Sequence, residues 1–352
     1  MDVKTWNQLF IRHGWNVQKN EGNVFDCQME TKENVEFLQK NLEALGVSYW
    51  MEGSNLILAD KPVAECEWIK ILDFPNRGRG EGLWFEPGQE DPKVEELDTY
   101  ICGIVRQFNR LGFHTKGSCD GHGKRSPHVM VKKEKDIDQL AGMLLALGLK
   151  RVYYREQRNS YCIYLHAQKN ELLDLAEKMS LIEEHWLELG LEYIKEQMFY
   201  LSLEGGLLTI PGTSGDESLV REFVKEKLQP FVDNISTDRH GNLLAEKTYN
   251  SGNGPTILLN AHLDTVVEIN ADRKISKIDS IWTSSEGILG ADDRAGVAIL
   301  LNIAESLVHS SFSGKVKYIF TIEEERGLIG ARNLDDYFLW GNRCCNRRRS
   351  KR

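Results

Sequence analysis

Apolar positions recur in this chain with two periods. In ENVEFLQKNLEALGV (Glu33 to Val47), Leu38, Leu42 and Leu45 form one helical stripe and Gly46 follows as a stop. KDIDQLAGMLLALGL (Lys135 to Leu149) repeats the device with Leu140, Leu144, Leu147 and Gly148. FIRHGWNV (Phe10 to Val17) and FNRLGFHT (Phe108 to Thr115) also run in step, with Phe, Arg, Gly and an aromatic aligned. After each leucine helix the pattern shortens to a hairpin. VSYWMEGSNLILA and RVYYREQRNSYCIYLHA each carry turn residues at their centre. An α+β module over residues 1–186 is therefore expected, internally duplicated as copies of about 1–72 and 97–186. Each copy reads helix, two short strands, helix, two strands. Residues 73–96 contain three prolines and four glycines and read as a linker, with Trp84 and Phe85 placed to pack.

Beyond residue 186 the grammar changes. Leu187, Leu191, Ile194 and Met198 share a helical face, and so do Leu219, Phe223, Val224 and Leu228 before Pro230. Ile257 to Leu259 and Val316 to Ile322 read as strands buried on both faces of a parallel sheet. Ile275 to Ile288 reads as a β-turn-β excursion, and Val297, Leu300, Leu301, Ala304 and Leu307/Val308 trace a helix. The fold class expected for residues 187–340 is α/β, a mixed, largely parallel sheet with flanking helices.

Candidate chemistry collects where these elements meet. His262 and Asp264 follow the first apolar strand, Glu323, Glu324 and Glu325 follow the second, and Asp292 and Asp293 open the helix between them. Ligands in open α/β sheets gather beyond the carboxyl ends of strands. One imidazole and several carboxylates at such a rim suit zinc, and a carboxylate between two cations can bridge them. Taken singly, the Asp pair also suits a helix N-terminus and a three-Glu run suits a solvated face.

The blocks HLDTV, GADDRAG and TIEEERGLIGA, with the lead-ins IPGTSGDES and DRHGNLLA, resemble the M20-type di-zinc metallopeptidases. The peptidase T-like branch is the most similar, and the likeness covers roughly Leu191 to Phe338. The resemblance implies a metal-dependent hydrolase of peptide or amide bonds holding two zinc ions. It implies His262 as a ligand of one metal, Asp264 as the group holding the other ring nitrogen, and Asp292 as the bridge. It further implies Glu324 as the general base and Glu325 as a ligand of the second metal. Glu323 and Asp293 match motif positions without a ligand role. The implied substrate is a peptide or an acylated small molecule, and the family's lid or dimerisation domain allows a homodimer in a longer protein.

Two family ligands have no counterpart. The next Asp would fall near position 347, which is Arg347, and no histidine follows His309. These departures lead to the expectation of a first half of a catalytic domain with weak or absent peptidase activity. The competing expectation is a non-catalytic small-ligand-binding protein carrying a remnant peptidase half. The tail GNRCCNRRRSKR (residues 341–352) reads as out-of-frame or truncated sequence rather than as a basic binding segment.

One further segment, KGSCDGHGKRSPH (Lys116 to His128), gathers Cys119, Asp120, His122 and His128 near His114. It is short of a four-ligand zinc set and fails as a phosphate loop, because Ser118 and Arg125 stand where Gly and Ser/Thr are needed. A glycine-rich connection between strands is the simpler reading, with a small-anion site left open.

Composition narrows the classes. The 352 residues are 41% hydrophobic and 28% charged, ordinary for a globular chain. Formal net charge is −9, and six basic residues fall in the last twelve positions, so the body is more acidic still. That balance argues against a nucleic-acid partner. Seven scattered cysteines, an odd number, and no secretory leader fit a reducing cytoplasm. No run approaches the about 18 apolar residues of a membrane span, so no membrane partner is expected.

Overall fold

A computed structural model describes residues 3, 5–72, 92–121, 125–270, 273–278, 281–308 and 310–339. Most of the linker, Trp84 and Phe85, His122, His309, Arg347 and the tail lie outside the described residues. The chain divides into two compact units, Met1–Glu196 and Gln197–Arg352.

The first unit runs α1 (Trp6–Arg12), β1 (Gln18–Lys19), β2 (Val24–Asp26), α2 (Lys32–Ala44), β3 (Tyr49–Glu52), β4 (Asn55–Leu58) and α3 (Glu65–Leu72). It continues α4 (Cys102–Arg110), β5 (Thr115–Cys119), β6 (His128–Lys132), α5 (Ile137–Ala146), β7 (Val152–Glu156), β8 (Ser160–Leu165) and α6 (Lys169–Ser180). Each run forms a four-stranded antiparallel sheet, in the orders β1-β2-β4-β3 and β5-β6-β8-β7. The leucine stripes are buried at Leu38, Leu42, Leu140 and Leu144. Gly46 and Gly148 adopt left-handed conformations (φ 69° and 99°), and the next residues, Val47 and Leu149, donate back to Leu42 O and Leu144 O. A residue with a Cβ resists that conformation, which is why these helices stop at glycine. A helix follows each second hairpin, an element the periodicity had not marked. Helices α7 (Glu184–Leu189) and α8 (Leu191–Ser202) come next.

The second unit contains α9 (Ser218–Leu228), β9 (Asn234–Thr237), β10 (Leu243–Tyr249), β11 (Thr256–His262), the hairpin β12 (Ile275–Ile278) and β13 (Ile281–Ser284), α10 (Ala291–Leu307), β14 (Gly314–Thr321) and α11 (Ile329–Arg332). Its main sheet has the order β11-β14-β10-β9. Among the described strands of this sheet, β11 and β14 are the parallel pair. β10 is antiparallel to both β14 and β9. The sheet is thus mixed α/β but not largely parallel, which corrects the expectation. The cause lies in connection length. Residues 250–255 are too few for a parallel crossover, so β11 must reverse β10. β14 returns between them, parallel to β11.

Alternation divides the sheet residues. Leu243, Ala245, Val316, Tyr318 and Phe320 pack with Val220, Val224 and Leu228 of α9 and Val297, Leu300 and Ala304 of α10. Each such aliphatic side chain contributes about 1.5–3 kcal/mol on burial. Leu244 and Ile319 face the other way and meet Phe338. Two details differ from expectation. Leu219 is 61% exposed, because the buried stripe of α9 steps through Val220, Val224 and Leu228. Ile257 is 40% exposed because β11 is an edge strand among the described residues.

Candidate metal centre

Parallel pairing aligns His262, the last residue of β11, with Thr321, the last of β14. The carboxyl ends of both strands therefore open on one rim, and Glu323 to Glu325 follow there directly. Helix α10 packs on β11 and delivers Asp292 and Asp293 to the same place. These two residues have non-helical φ/ψ, so the regular helix begins after them.

His262 Nε2 lies 3.1 Å from Asp292 Oδ1 and 4.0 Å from Glu324 Oε2. One ligand atom each from His262, Glu324 and Glu325 lie within 4.8 Å of one another. The other ring nitrogen, Nδ1, is 3.1 Å from the main-chain oxygen of Asp264 and 3.4 Å from its carboxylate. The imidazole is nearly buried and Asp292 is open to solvent. Burial opposes charge on His262, but the contacts to Asp264 and Asp292 outweigh it and push the imidazole up to about 9. One imidazole and three oxygen donors, with the second ring nitrogen fixed from behind, fit the donor set of a borderline cation such as zinc.

Asp264 is fully buried and organises the rim. Ser214 Oγ donates to its Oδ2 at 2.6 Å, Glu324 N to Oδ1 at 3.0 Å and Glu325 N to Oδ2 at 3.0 Å. Burial alone would raise this carboxyl. The hydrogen bonds from His262, Ser214 and the two amides instead hold it far below the usual carboxylate range. Glu217, also buried, accepts from Gly215 N at 2.8 Å and Glu323 N at 3.0 Å. Three successive amides, Glu323 to Glu325, thus aim at two buried carboxylates, which sets the direction of the Glu324 and Glu325 side chains. Asn242 completes the turn, accepting from Ile322 N at 3.2 Å and donating to Gly330 O at 3.0 Å. Asp293 accepts from His262 N at 3.3 Å and Gly296 N at 3.1 Å, so it supports the backbone.

Arg294 sits fully buried beneath this network, donating to Ile210 O at 3.3 Å. Burial lowers its guanidinium to about 10, opposed by the charges of Asp264 and Glu217, so it stays protonated at neutral pH. Sequence reasoning assigned no role to Ser214, Glu217, Asn242 or Arg294, although all four lie in the quoted motif blocks.

The Lys116 to His128 segment assembles differently. Cys119 and His128 are cross-strand partners on β5 and β6. Lys169 Nζ lies 3.4 Å from Asp120, and His114 is 2.6 Å from Glu134. Among the described residues these groups do not converge as a three-ligand cluster.

Residues 242–338 match the sequence profile of Peptidase family M28. An uncharacterized protein YqjE of Bacillus subtilis is 38% identical over 81 residues, 23% of this chain and 22% of that protein. A peptidase T-like protein of Yersinia pestis is 25% identical over 159 residues, 36% of this chain and 39% of that one. The crystal structure of a tripeptidase from Staphylococcus aureus is similar at 28% identity, covering 41% of this chain and 40% of that one, with a TM-score of 0.38. The chain therefore spans 22% and 39% of the length of these two curated relatives. The matched region is similar to that peptidase family and to a peptidase T-like protein.

Proposed function

We propose that the second unit is the metal-binding part of a zinc-dependent hydrolase of peptide or amide bonds, of aminopeptidase or tripeptidase type. The supporting observation is the convergence of His262, Glu324 and Glu325 within 4.8 Å at the common rim of β11 and β14. In this reading His262, Asp292 and Glu325 would hold zinc, two ions in all. The cations supply Lewis acidity toward the scissile carbonyl. Glu324 takes the proton of the attacking water and returns it to the leaving amine. Asp264 fixes the His262 ring and, through the amides of Glu324 and Glu325, the direction of both carboxylates.

The test is metal counting beside turnover. The chain dialysed against zinc should retain about two ions, and Asp292→Ala should lose them. Glu324→Gln should keep the metal while lowering whatever tripeptide turnover the parent shows by about 10²–10⁴-fold. A chain that takes up no zinc sinks the assignment, as does a Glu324→Gln variant that keeps the turnover of a measurably active parent.

We also infer that the first unit arose by internal duplication. Its two halves share element order, strand order and glycine-stopped leucine helices. We propose a reducing cytoplasm on the odd, scattered set of seven cysteines in the sequence. Among the described residues, no helix is long and apolar enough to cross a membrane.

A further inference from the structure

Cys119 and Cys162 are buried on one face of the sheet β5-β6-β8-β7, and Val129, Val131, Ile163 and Leu165 are buried on the other. The residues between these four point to the face of the two cysteines. There His128, Tyr164 and Tyr153 are direct cross-strand neighbours. Their rings form a continuous row, with centroids 5.6 Å apart from His128 to Tyr164 and 5.7 Å from Tyr164 to Tyr153. The Tyr153–Tyr164 pair is stacked at 29°, and Tyr153 is 42% exposed. The Arg155 guanidinium lies 5.6 Å from the Tyr153 ring and 5.9 Å from the Tyr164 ring.

Charge in this part of the chain runs against the whole. From His114 to Lys169 there are eleven lysines and arginines and five aspartates and glutamates, in a protein of net charge −9. The acidic total that argues against a nucleic-acid partner therefore averages over a locally basic segment.

The sister sheet supplies an internal control. By strand pairing, Val24, Ile57 and Trp50 stand where His128, Tyr164 and Tyr153 stand, and Glu52 stands where Arg155 does. Trp50 Nε1 donates to Glu52 at 3.1 Å. That face has one large ring and an acid, whereas the second has three rings and a cation. The first sheet pairs its strands at these positions with two aliphatic residues and one ring, so strand pairing alone does not call for three rings and a cation.

We propose that the His128–Tyr164–Tyr153 face, with Arg155, binds single-stranded nucleic acid. Flat π-surfaces on a sheet accept unpaired bases by stacking, and nearby cations meet the phosphates. Such recognition tolerates any base sequence and weakens with salt. A duplex hides its bases and offers this platform nothing to stack.

The test uses the full chain and a fluorescein-labelled oligodeoxythymidylate, followed by anisotropy. Saturable binding is expected, falling with added salt and absent for a duplex of the same length. Tyr153→Leu and Arg155→Glu should each weaken it by roughly tenfold, while Trp50→Leu should leave it unchanged. Arg155 is solvent-exposed, so Arg155→Glu tests the face even if Tyr153→Leu proves unstable. The proposal is overturned by a parental chain that does not bind at low salt, by equal binding of duplex, or by Trp50→Leu weakening binding as much as the two variants.

Discussion

Arg294 shows how far the acidic rim depends on a group that never reaches it. Two buried carboxylates, Asp264 and Glu217, carry the amides of Glu323 to Glu325, and Arg294 is the buried cation whose charge opposes theirs. Removing one partner of a buried charge set leaves the others uncompensated, at about 3–5 kcal/mol. Arg294→Leu should therefore lower the unfolding free energy of the second unit by that amount, read as a lower urea midpoint, and reduce zinc retention. An unchanged midpoint would mean the carboxylates are neutralised some other way. Gly212 tests the same packing from outside, since a Cβ there would meet Arg294 Nη2 at 2.7 Å and Val220 at 3.1 Å. Gly212→Ala should cost about 1–3 kcal/mol, read from the same denaturation curve. None of this was legible in the sequence. Ser214 reaches across 50 residues to Asp264, and Glu217 across 106 to Glu323. Motif letters announce such positions without saying which amide each one receives.

Helices in the first unit are joined by a comparable device. Arg12 of α1 makes a two-pronged contact with Glu65 of α3 at 2.7 and 3.0 Å and also reaches Asp174 and Glu177 of α6. Burial would raise Glu65, but hydrogen bonds from His13 and Arg12 outweigh it and hold the carboxyl near about 2, against an ordinary 4.5. Because the folded value is depressed, the unfolded chain takes up the proton first as pH falls. The stabilisation is complete above pH 4.5 and is lost as pH falls toward about 2. Melting curves of the parent and Glu65→Gln should therefore differ at neutral pH and converge across that window. A constant difference down to the lowest pH would show that the Glu65 charge contributes nothing. The sequence showed the elements better than their partners. Leucine stripes, glycine stops and hairpins all depend on neighbours within a few residues, and they fell where periodicity put them. Strand direction in the second unit depends on a six-residue connection between β10 and β11, and an apolar run carries no sign of it. The aromatic row on β6, β8 and β7 was equally hidden, because only the register of three strands makes His128, Tyr164 and Tyr153 neighbours.

Each unit has buried residues of its own, and the proposed cations touch only the second. Leu38, Leu42, Leu140 and Leu144 belong to the first, while the sheet residues Val316, Tyr318 and Phe320 belong to the second. A ligand that binds only the folded state stabilises it by mass action, about 2.7 kcal/mol at a hundredfold excess over its dissociation constant. For a unit of this size that corresponds to roughly 5–10 °C in melting temperature. Calorimetry of the full chain should therefore resolve two transitions, and chelation of zinc should lower only the one belonging to the second unit. The Glu65→Gln substitution should move only the other. If both transitions shift together in either experiment, the cores melt as one, and the metal would then be stabilising the first unit as well as the site it occupies.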